Sequence, residues 1–279
     1  MRKALALMFG KLAVHAQIHM VNPINYMVML LRSKAFQKDS WVARSIRNIG
    51  VGRLIFQLRC FLAKIASLYG YASRSVEYPW ILSKLQHGEN ALVLDIGCCG
   101  SLLSHELLTR GYRVVGMDQQ ERYLGNHREF FVKTNILNNN LPAECFDIIL
   151  LISVIEHVGL SVYGQTIIDN DADYTAMQLI KKLLKPTGQV YLTTQYEGNF
   201  LGDAQDVVVR SSDRKEHLER RYNTARLTRL IDGYRIVSAT FYHYSLSSHR
   251  FKPVLKHQLD QLTQKTCEGS IACLTLQLN

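Results

Sequence analysis

Residues 91–279 alternate between short apolar runs and segments with the periodicity of an amphipathic helix. The apolar runs have the length of buried strands, and we predict strands at 91–97, 112–117, 129–133, 147–153, 188–195, 234–244 and 270–278. Helices are predicted at 101–110, 172–185 and 224–232, ending at Gly111, Pro186 and Gly233. This alternation favours βαβ units around a parallel sheet. The polar, charged segment 197–223 is predicted to be a loop or flap.

The N-terminal part of the chain has its clearest helical pattern at residues 51–69, which end at Gly70. Two interpretations remain open. The helix either packs on the domain or, with its basic polar side, lies on an anionic membrane or a polyanionic partner. Residues 1–22 are apolar but interrupted by charge, and Lys11 in particular argues against a transmembrane helix or a secretory signal. The basic, acid-free start leaves an organelle transit segment as a further alternative.

Charge divides the chain into two parts. The net charge is +10, from 33 Lys and Arg against 23 Asp and Glu. Residues 1–90 hold 13 of the basic residues and only three acids, so the whole excess belongs to this part. We therefore predict a basic helical segment at 1–89, acting as a lid or surface anchor, and a second domain at 90–279. Six cysteines without a C-x-x-C pair favour a reducing, cytoplasmic location, with peripheral membrane attachment left open.

A tight turn of small residues comes directly after the first predicted strand. Gly97 begins this turn, and Asp118 ends the next strand about 20 residues further on, where a parallel strand delivers an acid to a ribose diol. Small residues let a backbone approach a ligand closely, and the next helix presents unpaired N–H groups. A dinucleotide fingerprint is excluded because Cys99 and Leu102 occupy its second and third glycine positions. The unit is predicted to hold a single nucleoside.

Three motifs in order carry a resemblance to a known family. The run D-I-G-C-C-G-S at 95–101 resembles the first motif of class I S-adenosylmethionine (SAM) dependent methyltransferases, usually close to D-x-G-C-G-x-G. Residues 145–158 resemble the fourth strand of that family and the helix start after it, and residues 183–192 resemble its L-K-P-G-G turn and fifth strand. Residues 75–80 and 155–164 are similar to a poorly characterised subgroup linked to cell-surface glycan and small-molecule modification.

The resemblance implies a fold and a donor site. The expected fold is α/β: a Rossmann-like, seven-stranded, mostly parallel sheet with helices on both faces, plus the N-terminal helical segment. The implied cofactor is SAM, and the implied donor residues are Asp95, Gly97, Gly100, Asp118, Gln119 and Asn135. Asp95 and Gly97 are expected under the methionine part, and Asp118 is expected to accept from the ribose hydroxyls. Gln119 would flank the adenine, which Asn135 would contact through its side-chain carbonyl.

The acceptor side is expected where the fourth strand ends, because ligands of open α/β sheets bind at the carboxyl edge. His157 is our candidate general base, since a neutral imidazole near pH 7 suits an alcohol or phenol acceptor. Glu156 is predicted to orient His157 or the SAM amino group. Both residues also fit a purely structural role at a helix start. Aromatic residues that either shape the acceptor pocket or pack in the core are Tyr78, Trp80, Tyr163 and Tyr196.

No metal is predicted. Some methyltransferases bind a divalent metal through E-x-x-E-H, and here Ser153 occupies the first position. Asp169, Asp171 and Asp173 are ascribed to a polar loop ahead of the helix at 172, with Asp171 as its N-cap.

The sequence thus predicts a class I SAM-dependent methyltransferase that acts on an oxygen of a small molecule or glycan intermediate. A [D/N]-P-P-[Y/F/W] motif, associated with methylation of amide or base nitrogens, is absent after the fourth strand. The alternatives are an RNA methyltransferase that uses the basic segment and a SAM-binding protein without turnover. A nicotinamide-dependent dehydrogenase is disfavoured because no tyrosine has a lysine four residues on.

Overall fold

The computed structural model describes residues 73–99, 103–120, 131–160, 169–198, 207–210, 218–245, 250–261 and 269–279. Residues 76–279 form one compact unit, which begins earlier in the chain than the predicted boundary at 89/90. The helix predicted at 51–69 lies outside the described residues. The role of the basic segment as lid or surface anchor stays a prediction.

The strands keep to the predicted alternation. In chain order they are β1 Leu92–Ile96, β2 Arg113–Asp118, β3 Phe131–Lys133, β4 Phe146–Ile152, β5 Leu184–Gln195, β6 Val207–Arg210, β7 Leu218–Arg221, β8 Tyr234–Ser245, β9 Arg250–Val254 and β10 Ser270–Leu278. Eight of them form one sheet in the order β3-β2-β1-β4-β5-β10-β8-β9, in which the first five are parallel and the last three antiparallel to their neighbours. The α/β fold class is confirmed, and the described sheet has one more strand than the seven expected. The addition is β9, an edge strand that contains Pro253.

The first described helix precedes β1, and the other four lie between strands. The helices are α1 Arg74–Lys84, α2 Leu103–Thr109, α3 Ala172–Leu183, α4 Thr224–Leu230 and α5 Lys256–Asp260, with short 3-10 turns at Ile136–Asn138 and Ile155–His157. Within the parts of the chain that the structure covers, no helix is both long and apolar enough to span a bilayer.

Both faces of the central strands β1 and β4 are buried, as parallel sheets require. Alternate residues of β4 point to opposite faces, so Ile149 and Leu151 pack with α3 and α4 while Leu150 and Ile152 pack with α1 and α2. All four side chains are at most 5% exposed. This two-sided burial explains why β4 is an apolar run in the sequence rather than an alternating one.

Two predictions about the second half of the chain were wrong. Pro186 does not end a helix, because α3 stops at Leu183 and Pro186 already lies within β5. The segment 197–223 is not only a loop, because β6 and β7 form a separate antiparallel hairpin within it.

Candidate active site

The turn after β1 is built around a glycine. Gly97 has a φ of +71°, in the left-handed region, and its N–H donates to the carbonyl oxygen of Met117 in β2 at 2.8 Å. A Cβ added at this position would lie 2.4 Å from Cγ2 of Val154, which comes shortly after β4. Glycine is therefore required by both the backbone conformation and the contact. Through this contact the turns after β1 and β4 meet at the carboxyl edge of the sheet.

Asp118 joins this turn to the end of β2. Its carboxylate accepts hydrogen bonds from the backbone N–H of Cys99 and of Gln120, each at 2.8 Å. A carboxylate offers about four acceptor positions, so two amide donors do not exhaust it. Gln119 is exposed beside it, and Gly100 lies outside the described residues. This is the position at which the sequence predicted a partner for ribose hydroxyls.

The other predicted donor-site residues lie at the same edge. Asp95 is 3% exposed and accepts a hydrogen bond from Oγ of Ser104, which ties β1 to α2. Asn135 comes after β3, and its Oδ1 accepts from the N–H of Leu137 at 3.0 Å, capping the 3-10 turn at Ile136–Asn138. The carbonyl that we assigned to adenine therefore already has one backbone partner. A carbonyl oxygen has two lone pairs, so the adenine contact stays a prediction.

The predicted catalytic pair lies on the 3-10 turn Ile155–His157, directly after β4. Glu156 is 1% exposed, and its Oε2 accepts from Oγ1 of Thr194 in β5 at 3.3 Å. His157 is half-buried, and its backbone N–H donates to the carbonyl oxygen of Val154 at 2.9 Å. The two side chains thus stand at the edge that also carries Asp118 and Gly97.

Comparisons with known proteins bear on the fold and on residues 94–192. Residues 94–192 match the family model of the methyltransferase domain. Two solved structures share the fold. One is the 1,6-didemethyltoxoflavin-N1-methyltransferase of Burkholderia thailandensis with bound 1,6-didemethyltoxoflavin and S-adenosylhomocysteine, which is 16% identical with a TM-score of 0.50 over 75% of this chain and 80% of that one. The other is a SAM-dependent methyltransferase of Archaeoglobus fulgidus, which is 13% identical with a TM-score of 0.51 over 74% of this chain and 95% of that one. Residues 94–192 thus carry the match to a methyltransferase domain, and the compact unit that contains them has the fold of these two structures.

Two sequence relatives match less than half of this chain. The ubiquinone biosynthesis O-methyltransferase of Dechloromonas aromatica is 31% identical over 113 residues, which are 37% of this chain and 43% of that protein. The protein of the same name from Pelagibacter ubique is 30% identical over 115 residues, 38% and 42% of the two chains. The chain spans less than half the length of these relatives.

Two of the aromatic residues considered for the acceptor pocket of the methyltransferase domain are interior residues. Trp80 is 5% exposed and packs edge-to-face on Tyr191, with ring centroids 5.9 Å apart. Tyr196 is fully buried, and its hydroxyl donates to Oδ1 of Asp260 at 2.7 Å. Burial raises the pKa of Tyr196, so its phenol stays neutral at physiological pH. Tyr78 is half-buried, and Tyr163 lies outside the described residues.

The aspartates before and within α3 have structural partners in the methyltransferase domain. Asp171 takes the N-cap position but makes no side-chain cap bond, and Asp169 accepts from the N–H of Asp171 at 2.9 Å. Asp173 is in the helix and fully buried, not in a polar loop. Across the described ranges, no three His, Cys, Asp or Glu side chains are placed to hold a metal ion.

Two buried charged residues near this edge were not predicted from the sequence motifs. Arg220 in β7 is 1% exposed and donates to the carbonyl oxygens of Val158 and, at 2.6 Å, Asp169. Glu77 in α1 is fully buried and contacts the ends of β4 and β5. Glu77 lies in the segment 75–80 that carried the narrower resemblance, which was the one available signal.

Replacing Gly97 by alanine is expected to destabilise the methyltransferase domain by about 2–4 kcal/mol, from left-handed backbone strain and overpacking against Val154. The change is measured as the free energy of unfolding in urea. In the G97A/V154A double variant the steric part should be relieved, leaving about 1–2 kcal/mol of strain. Equal stability of G97A and wild type would contradict the described turn.

Proposed function

We propose that this protein transfers the methyl group of SAM to an oxygen of a small molecule or glycan intermediate. The observation that carries the proposal is the hydrogen bond from Cys99 N–H to Asp118, because it brings the glycine turn and the acid of β2 into one nucleoside-binding edge. The names of the relatives, O-methyltransferases of ubiquinone biosynthesis, support a small-molecule oxygen as the acceptor.

The residues at this edge fit the cofactor. When bound, SAM supplies an electrophilic methyl group on a sulfonium. Asp118, which accepts from two backbone donors, would also accept hydrogen bonds from the ribose hydroxyls. Gly97 adopts the left-handed conformation that forms the turn at this edge. Asp95, bound to Ser104, holds β1 and the start of α2 together where the methionine part of SAM would bind.

The acceptor oxygen must lose its proton as the methyl group arrives, because a neutral hydroxyl is a weak nucleophile. His157 takes that proton at a ring nitrogen, from its place at the carboxyl edge beside the donor turn. Glu156 holds the turn that carries His157 through its bond to Thr194. The remaining rate enhancement comes from positioning donor and acceptor in line.

The proposal is tested by incubating the purified full chain with methyl-¹³C SAM and a cell extract that contains both small molecules and RNA. We expect a new labelled product whose carbon chemical shift is that of an O-methyl group. Label found only in N-methyl products, in RNA or in no product at all would contradict the proposal.

Replacing His157 by glutamine should then lower the rate of O-methyl formation by about 10²–10⁴-fold, the usual contribution of a general base. The affinity for S-adenosylhomocysteine (SAH) should change little, because His157 is assigned to the acceptor. The matched control is His87→Gln, an exposed histidine near the end of α1. A transfer rate unchanged in H157Q would remove His157 as the base.

A further inference from the structure

A buried carboxylate reaches the active-site edge from α1. Glu77 is fully buried, and its Oε1 accepts hydrogen bonds from Oγ of Ser153 at 2.5 Å and from Oγ1 of Thr193 at 2.7 Å. Burying a carboxylate is costly unless it is well hydrogen-bonded, and an apolar side chain would fill the space at lower cost. Its two hydroxyl donors come from the carboxyl ends of β4 and β5.

One of these donors has an unusual backbone. Ser153 has a φ of +50°, a left-handed conformation that is uncommon for residues other than glycine. Its N–H is shared between the carbonyl oxygen of Thr193 at 3.1 Å and Oγ1 of Thr193 at 2.9 Å. Ser153 N–H, the Thr193 hydroxyl, Glu77 and the Ser153 hydroxyl thus form a closed ring of hydrogen bonds. Such rings hold a strained residue in place.

The conformation of Ser153 determines the path of the chain into the next turn. Val154, the next residue, is the one against which Gly97 packs, and its carbonyl oxygen accepts from His157 N–H at 2.9 Å. A rotation at Ser153 would move both the floor of the donor turn and the imidazole. A displacement of a catalytic group by about 1 Å lowers the reaction rate by about 10²-fold.

Attachment of α1 does not explain this carboxylate. The helix is held independently by the buried side chains of Trp80 and Ile81. At its other end, Arg110 donates to the carbonyl oxygens of Leu82 at 2.8 Å and Leu85 at 2.9 Å. The hydrogen bonds of Glu77 are therefore not needed to anchor α1. They constrain the chain locally at the active-site edge.

We propose that Glu77 is a positioning residue that holds Ser153 in its left-handed conformation and thereby places His157 and Val154 at the site. The effect of Glu77 on catalysis rests on the proposed function, whereas its effect on the position of His157 does not. The hydrogen bonds require an acceptor oxygen at the end of the side chain. Glu77→Gln keeps one such oxygen, and Glu77→Met has similar length but none.

The placement is tested by ¹H–¹³C spectra of the full chain labelled at the histidine ring Cε1, without SAM. The His157 signal is assigned as the one lost in H157Q. We expect it to shift in E77M and to stay closer to its wild-type position in E77Q. Ser153→Ala removes one hydrogen-bond donor and leaves Glu77 bound to Thr193, and it should also shift the His157 signal. This variant replaces E77M in the test if E77M does not fold.

The control is Asp147→Asn. Asp147 joins β4 to its neighbours by accepting from Leu92 N–H at 2.8 Å and Lys185 Nζ at 2.7 Å, but at the opposite end of the strand. Its substitution should lower stability and leave the His157 signal unchanged. Folded E77M or S153A with a wild-type His157 signal, or an equal shift in D147N, would overturn the proposal.

Activity provides the second readout. In the labelled-methyl assay, E77M should lower the transfer rate at saturating SAM by about 10- to 100-fold. Full transfer by E77M would overturn the positioning role. Absence of SAM binding or transfer in the wild type would instead overturn the proposed function, and the histidine spectra would still test the placement of His157.

Discussion

Asp118→Ala is expected to weaken SAH binding by about 10- to 100-fold. A hydrogen bond to a charged acceptor contributes roughly 1.5–3 kcal/mol, so the net loss of one bond assigned to a ribose hydroxyl corresponds to this range. The variant also releases the N–H of Cys99, which shapes the turn after β1. The dissociation constant is measured by isothermal titration of the full chain with SAH.

The control for this variant is Asp171→Ala, another acid on the methyltransferase domain. Its side chain is 63% exposed and paired with Arg229 at 3.3 Å. Its SAH affinity should equal that of the wild type. Asp118→Asn, which keeps one acceptor oxygen, should lie between D118A and the wild type. Wild-type affinity in D118A would contradict the assigned donor site.

Asp173→Ala should produce the largest loss of stability, about 3–5 kcal/mol, because it breaks a buried ion pair. Asp173 is fully buried and accepts from Arg226 Nη2 at 3.0 Å and from the Tyr222 hydroxyl at 2.8 Å. Nε of Arg220, 1% exposed as a residue, lies 3.9 Å from the same carboxylate. Removing Asp173 leaves buried guanidinium charge without its carboxylate. The free energy of unfolding is measured in urea.

Asp171→Ala again provides the comparison, since it removes an acid two residues away on the same helix start. The exposed ion pair of Asp171 with Arg229 should contribute no more than about 1 kcal/mol to the free energy of unfolding. Similar losses in D171A and D173A would show that the buried cluster does not stabilise the fold as described. An unchanged slope against denaturant would indicate that both variants unfold from the same compact state.

The parallel part of the sheet was predictable because buried strands appear as apolar runs. β1 and β4 are buried on both faces, and the glycine turn comes directly after β1, so pattern and motif indicate the same edge. The hairpin of β6 and β7 was not predictable in this way. Arg220 occupies an interior position in β7 only because Asp173 and two backbone carbonyls compensate its charge. In the sequence such a residue indicates an exposed loop.

The same limit applies to the site. Asp118 and Gly97 could be assigned to a site from the sequence because a carboxylate after a strand and a glycine in a turn have local meaning. Glu77 was not assigned a role, because its partners Ser153 and Thr193 are distant in sequence and a lone acid in a helix ordinarily faces solvent. Asn135 shows the converse, since its side chain serves as a local cap that spacing alone does not reveal.

The most direct test of the central claim is a crystal structure of the full chain grown with saturating SAH. We predict SAH at the carboxyl edge of β1, β2 and β4, with its ribose hydroxyls donating to Asp118 and its methionine part above Gly97. SAH bound elsewhere, or Asp118 turned away from the ribose, would contradict the assigned donor site.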